Sequence, residues 1–182
     1  MKNKFILVAM LCLPAGSQVL AQSCIGTESG TPVSQFVDNE DGTVTDTKTG
    51  LMWKRCPEGY VLNQSGTPAD MTDDVCVVST TPYYNWPAAL SRANGAVYAG
   101  YDDWRVPNIK ELLSAIDYQC YNPAQNTAVF PEPQVMFDYW SSTPDSAYSG
   151  DAWDVDMKSG RESTSDQLFT TLNFVLLVRG GL

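Results

Sequence analysis

Along this 182-residue chain, two helical stripes of apolar residues stand among short alternating or continuous apolar runs. The first stripe is Trp86, Ala89, Leu90 and Ala93, spaced i, i+3, i+4, i+7 as on one helix face. Asn85 precedes it as a cap and Gly95 ends it. The second is Ile109, Leu112, Leu113 and Ile116, with Asn108 in the cap place and Glu111 three residues on, a capping-box spacing. The rest reads as strands and turns. Gln35 to Asp38, Thr43 to Asp46 and Leu51 to Lys54 are three short strands, joined by turns at Asn39-Glu40-Asp41-Gly42 and Thr47-Lys48-Thr49-Gly50. Tyr139 to Ser142 is a fourth. Ala152 to Met157 alternates, placing Trp153, Val155 and Met157 on one face and Asp154 and Asp156 on the other. Lys158-Ser159-Gly160 turns the chain, and Phe174 to Val178 is a continuous apolar run of the kind buried on both faces. Residues 22–34 read as an irregular lead-in. Pro57 to Pro82 reads as a long displayed loop, and residues 121–138 as a second loop rich in Pro and Asn. Trp53, Trp86, Trp104 and Trp140 each lie inside a patterned element and are expected in the core.

The first 21 residues follow a different logic. Lys2 and Lys4 precede an apolar run of about nine residues, Phe5 to Leu13, and Val19 and Ala21 then occupy the small-residue positions of a cleavage site. This predicts a signal peptide over 1–21, a lead-in over 22–34 and one exported domain over 35–182. The run is far shorter than the ~20 residues of a bilayer span, and no later stretch is apolar enough to cross a membrane. The expected location is therefore periplasm, cell surface or extracellular space. Export changes the meaning of the cysteines. Cys12 leaves with the leader; Cys24, Cys56, Cys76 and Cys120 remain, an even number in an oxidising compartment that allows three pairings. Cys56–Cys76, closing a local loop, and Cys24–Cys120, tying the N-terminus to the middle, are favoured. No CxxC pair suggests zinc.

Charge and composition narrow the chemistry further. The net charge is −10, which repels nucleic acid and anionic lipid heads and favours cations or basic partners. There is no histidine, so neither a Ser-His nor a Cys-His nucleophile can be built. Paired-carboxylate chemistry remains open. The acidic turn at Asn39–Gly42 fails as an EF-hand, because placing Gly42 at the sixth position puts Val37 at the first.

Six blocks occur in order: Asp41-Gly42-Thr43-Val44-Thr45-Asp46; Thr49-Gly50-Leu51-Met52-Trp53; Gly100 to Leu112, containing Trp104-Arg105-Val106-Pro107-Asn108; Tyr139-Trp140-Ser141-Ser142-Thr143; Trp153-Asp154-Val155-Asp156; and Val178-Arg179-Gly180-Gly181. Together they resemble the C-terminal domain family of the Legionella collagen-like adhesin. Some are also similar to blocks of the formylglycine-generating enzymes, a group with a C-type-lectin-like fold. The resemblance implies an α+β, C-type-lectin-like architecture: two short helices packed on a twisted antiparallel sheet, with long loops. It implies a non-catalytic recognition module for a glycan or surface protein. It does not carry over a sulfated ligand, since there is no collagen-like stalk and, beyond the expected leader, the only close basic pairs are Lys54 with Arg55 and Lys158 with Arg161. The competing readings are an oxidoreductase like the formylglycine generators, which needs a reactive cysteine pair, and a structural subunit of an envelope or pilus assembly.

For a ligand site, the resemblance to sugar-binding C-type lectins points to Asp154 and Asp156 beside Trp153, with Tyr148, Asp145 and Asp151 from the preceding loop. The aromatic rings would stack on a sugar and the acids would accept its hydroxyls. No cofactor is implied; calcium is the one ion these acids would suit, although Glu132-Pro133-Gln134 is a poor echo of the lectins' partner loop. Arg105 and Glu111 are expected to form a structural pair holding a helix start, with Arg179 in a similar role.

Overall fold

The structure is a computed structural model that describes residues 22–25, 29–64, 70–131, 138–166 and 171–180. The expected leader, Glu132-Pro133-Gln134 and Gly181 lie outside them. The described residues form an α+β molecule with two helices and several antiparallel sheets.

Both helices form where their caps predict. Helix α1, Trp86–Asn94, starts at Asn85, whose side chain accepts a hydrogen bond from Ala88 N at 3.0 Å. Helix α2, Ile109–Ser114, carries a reciprocal capping box: Asn108 Oδ1 accepts from Glu111 N at 3.0 Å, and Glu111 Oε2 accepts from Asn108 N at 2.8 Å. Two of the orphan N–H groups of a helix start are thereby satisfied.

The strands are β1 (Ser23–Cys24), β2 (Phe36–Asp38), β3 (Thr43–Asp46), β4 (Leu51–Lys54), β5 (Tyr60–Asn63), β6 (Val75–Val78), β7 (Cys120–Tyr121), β8 (Asp138–Pro144), β9 (Asp151–Asp156), β10 (Arg161–Asp166) and β11 (Val178–Gly180). The main sheet runs β11-β4-β3-β2, with Val44 and Val178 both opposite Trp53. A second sheet runs β10-β9-β8, and two-stranded ribbons pair β1 with β7 and β5 with β6. Gly42 shows how tightly the β2–β3 hairpin tip is packed. Its φ is +85° and a Cβ there would lie 2.1 Å from the Tyr98 hydroxyl, so only glycine fits.

Two sequence expectations need correction, and one strand was missed. The stretch from Pro57 to Pro82 is not only a loop, because β5 and β6 form a ribbon within it. Strand β10 was hidden in Arg161 to Asp166, which shows almost no apolar signal; it forms because each residue pairs across to β9. Phe174 to Leu177 is buried as expected but is not a ladder strand. Its carbonyls are shared out: Phe174 O accepts from Trp140 N, Val175 O from Glu58 N and Leu177 O from Lys54 N, at 3.0, 2.8 and 3.0 Å. The segment thus threads between the two larger sheets and satisfies both.

The core has two parts. One gathers Trp53, Phe130, Tyr139, Val155, Met157 and Phe174; the other gathers Trp104, Trp140, Val175 and Leu177 with Ala89 and Ala93 of α1. Trp53, Trp104 and Trp140 are buried, while Trp86 is half-buried and donates from its indole to Ser141 O at 2.7 Å. Disulfides join Cys24 to Cys120 and Cys56 to Cys76.

Candidate ligand-binding site

The residues proposed from sequence do not meet as one group: Asp145, Tyr148 and Asp151 gather at one end of β9, away from Asp154 and Asp156. Asp154 is fully buried; its Oδ1 accepts from Ser163 Oγ at 2.5 Å and its Oδ2 from Asn173 Nδ2 at 3.1 Å. It clamps β9 to β10 and to the threading segment and offers nothing to solvent. The cause is topological: β9 is the central strand of its sheet, and Ala152 and Asp154 pack on one face as Val155 and Met157 do elsewhere in the core. Asp156 is occupied in the β9–β10 turn, accepting from Lys158 N at 2.9 Å and Ser159 Oγ at 2.6 Å. At the opposite end of β9, Asp145 accepts from Ala147 N at 2.8 Å, Asp145 N donates to Asp151 O at 2.9 Å, and Tyr148 is 68% exposed. Asp151 and Asp156, the two ends of β9, lie ~16 Å apart along the strand at about 3.3 Å per residue. Trp153 is half-buried between them. Among the described residues no group of three or more acids or cysteines is arranged to hold a metal.

Asp138, on β8, was not singled out from sequence. It faces Asp156 across the ladder. Burial raises its pKa to about 6, aided by the charges of Asp154 and Asp156 and opposed by Arg161.

The arginine pairs are structural. Arg105 grips Glu111 through two hydrogen bonds of 2.7 Å and donates to Gly180 O at 3.2 Å, so β11 is tied to the start of α2. Burial works against the Glu111 charge, yet Arg105 and the Asn108 N–H hold its pKa below the usual carboxylate range. Arg179 pairs with Asp103 at 2.6 Å and stacks on Tyr101 at 3.7 Å. The basic pair Lys54 and Arg55 is withdrawn from the surface. Lys54 Nζ bonds Glu58 at 2.6 Å, and Arg55 is buried against Asp74 and three backbone carbonyls.

A concavity beside an exposed aromatic lies elsewhere. A half-open cleft of about 310 Å³ forms where the lead-in, the β3–β4 turn and the end of α2 meet. Leu113 and Ile116 give it an apolar wall, and Tyr118, 68% exposed, stands beside them. Gln35, Lys48 and Thr49 supply polar groups, and Lys48 is the single cation among its described lining residues. These groups are fixed by a buried carboxylate: Asp46 Oδ1 accepts from Gln35 Nε2 and Lys48 N, both at 2.9 Å, and Oδ2 from Thr49 Oγ1 at 2.7 Å. A second buried carboxylate anchors the lead-in. Asp117 accepts from Ser29, from Gly30 N at 3.0 Å and from Gln119 N at 2.9 Å. Burial opposes its charge, but these bonds hold its pKa below the ordinary value. Thr31, also lining the cleft, has a buried Oγ1 with no hydrogen-bond partner among the described residues. At Gly160, φ +73°, a Cβ would come within 2.7 Å of Ile116 Cγ2, so the β9–β10 turn braces the apolar wall.

An apolar wall beside preset amides and hydroxyls suits a flat, hydroxylated or amphipathic ligand group. Sequence reasoning missed Gln35, Thr49 and Tyr118. They are far apart in the chain, and only the neighbourhood of Cys120 marked any of them as tethered.

The family model for the Lcl C-terminal domain matches residues 42–179. That span includes Lys48, Thr49 and the α2 side of the cleft, but not Gly30, Thr31 or Gln35. No curated protein matches the chain.

Proposed function

This chain belongs to the Lcl C-terminal domain family, and from that premise we propose that it is an extracytoplasmic, adhesin-related recognition module that binds a glycan or protein ligand without catalysis. The observation that carries the reading is the Tyr118 cleft, in which polar groups are held in place by Asp46 and Asp117 before any ligand arrives. Preset groups and an exposed ring favour holding a ligand, since little ordering remains to oppose binding. A C-type-lectin-like architecture accords with the α+β frame and its surface loops. The non-catalytic reading is supported by the cysteines. Cys24, Cys56, Cys76 and Cys120 are paired in two disulfides, leaving none of the four as the reactive thiol that a formylglycine-generator mechanism would use.

The test is a glycan-array and surface-protein pull-down comparison of wild type and Tyr118→Ala, with and without calcium. The reading expects wild type to retain a ligand in both conditions and Tyr118→Ala to lose roughly tenfold or more in affinity. Equal binding by the two proteins would remove Tyr118 from the site.

A further inference from the structure

We propose that the β5–β6 ribbon, with the acidic cleft at its foot, is a docking surface for an extended basic segment of a partner protein. It shares no lining residue with the Tyr118 cleft and does not rest on the reading of that cleft.

The ribbon has an inner and an outer face, fixed by its register. Tyr60 and Leu62 point inward to the core, and Cys76 is bonded to Cys56. Side chains alternate along a strand, so Val61, Asn63, Val75 and Val77 share the other face, with Val61 directly opposite Val77 and Asn63 opposite Val75. The three valines are 53%, 48% and 43% exposed, an apolar stripe laid across both strands. Among the described residues β5 and β6 pair only with each other, so each keeps an outer edge with no strand beside it. Such edges are usually blunted by lysine or proline. Here neither strand contains either residue.

Charge selects the occupant. From Gly59 to Pro82 the chain has three aspartates, Asp70, Asp73 and Asp74, and no lysine or arginine. A cleft of about 360 Å³ opens where the ribbon meets the residue 127–131 segment. Thr72, Asp73 and Asp74 line it, with Arg55 already meeting the Asp74 charge, and Val75 joins it to the valine stripe. A strand added to the ribbon would lay alternate apolar side chains along the valines, and a lysine or arginine beside them would reach the acidic cleft. A second copy of this chain is disfavoured, because it would bring the same aspartates and the same net charge of −10. The base is already rigid: Arg55 bonds Asp74 and the carbonyls of Met71, Ala128 and Val129, tying both sides of the cleft together.

The probe is a short synthetic peptide alternating valine and lysine, titrated into the mature protein alongside a valine–glutamate and a serine–lysine peptide. The valine–lysine peptide should bind, with amide NMR shifts of the wild-type protein moving at residues 60–63 and 72–78. Val61→Ser/Val77→Ser should lower affinity roughly tenfold, and Asp73→Asn should weaken it and flatten its salt dependence. The proposal is overturned if the shifts map elsewhere or if the serine–lysine peptide binds equally well. It is also overturned if the valine pair only governs self-association of the protein, seen by sedimentation.

Discussion

Arg55 has no exposed surface, and its Nε, Nη1 and Nη2 all donate, Nη1 to the buried Asp74 carboxylate and the others to backbone carbonyls. Arg55→Met would leave Asp74 buried with no counter-charge, and we expect a loss of about 3–5 kcal/mol in urea unfolding. Arg55→Met/Asp74→Leu should recover much of it, because the uncompensated charge is then gone. Asp138 gives the opposite kind of effect. Its folded pKa of about 6 lies above the ordinary 3.8, so the folded state binds the extra proton between those values. Stability from this group is therefore full below pH 4 and falls as pH rises toward 6. Allowing for solvent screening at a half-buried site, the loss is about 1–2 kcal/mol. Asp138→Asn should make the protein more stable at pH 7.5 than wild type and flatten the Tm profile between pH 4 and 7; an unchanged profile would show that burial and the neighbouring Asp154 and Asp156 charges do not raise its pKa. Asp138 does not stand out in the sequence, and Arg55 does so only as half of a basic pair with Lys54. The alternation of β9 suggested an outward Asp154, because a single strand's pattern cannot show that Ser163 and Asn173, from other segments, cover its polar face.

At the scale of elements, what was legible followed from local rules. The two helices were legible from stripe and cap together, and β2, β3 and β4 from their Gly-containing turns. Strand β10 was not, since Arg-Glu-Ser-Thr-Ser-Asp gains its structure only from pairing with β9. Nor was the β5–β6 ribbon, whose two strands are joined by a long polar connection lacking a hairpin signature. That ribbon hangs on Cys56–Cys76, which closes a loop with a separation of 20 residues. Replacing both cysteines by serine should cost about 3 kcal/mol on the loop-entropy model. Hydrogen exchange should rise in β5 and β6 before it rises in β3 and β4. Uniform loosening would instead mean that the ribbon is held by Arg55 and the core alone.

For the whole molecule, the resemblance in six scattered blocks gave the family, and the proposed ligand cleft lies away from the acids that the resemblance singled out. The blocks mark residues that hold the frame: Trp53, Trp104 and Trp140 in the core, Arg105 on Glu111, Arg179 on Asp103. Frame residues recur in pattern because packing demands them; of the groups lining the Tyr118 cleft, Thr49 falls inside a block, whereas Gln35 and Tyr118 fall in none. The acidic surface and the withdrawn Lys54 and Arg55 leave few cations for a polyanion, which is consistent with a ligand held chiefly by stacking and neutral hydrogen bonds. The most direct measurement is calorimetric titration of a ligand captured by wild type into three proteins: wild type, Tyr118→Ala, and Asp145→Ala/Asp151→Ala at the β8–β9 tip. The account predicts that Tyr118→Ala loses roughly tenfold or more in affinity while the tip variant binds as wild type does. Retained binding by Tyr118→Ala with loss in the tip variant would contradict it.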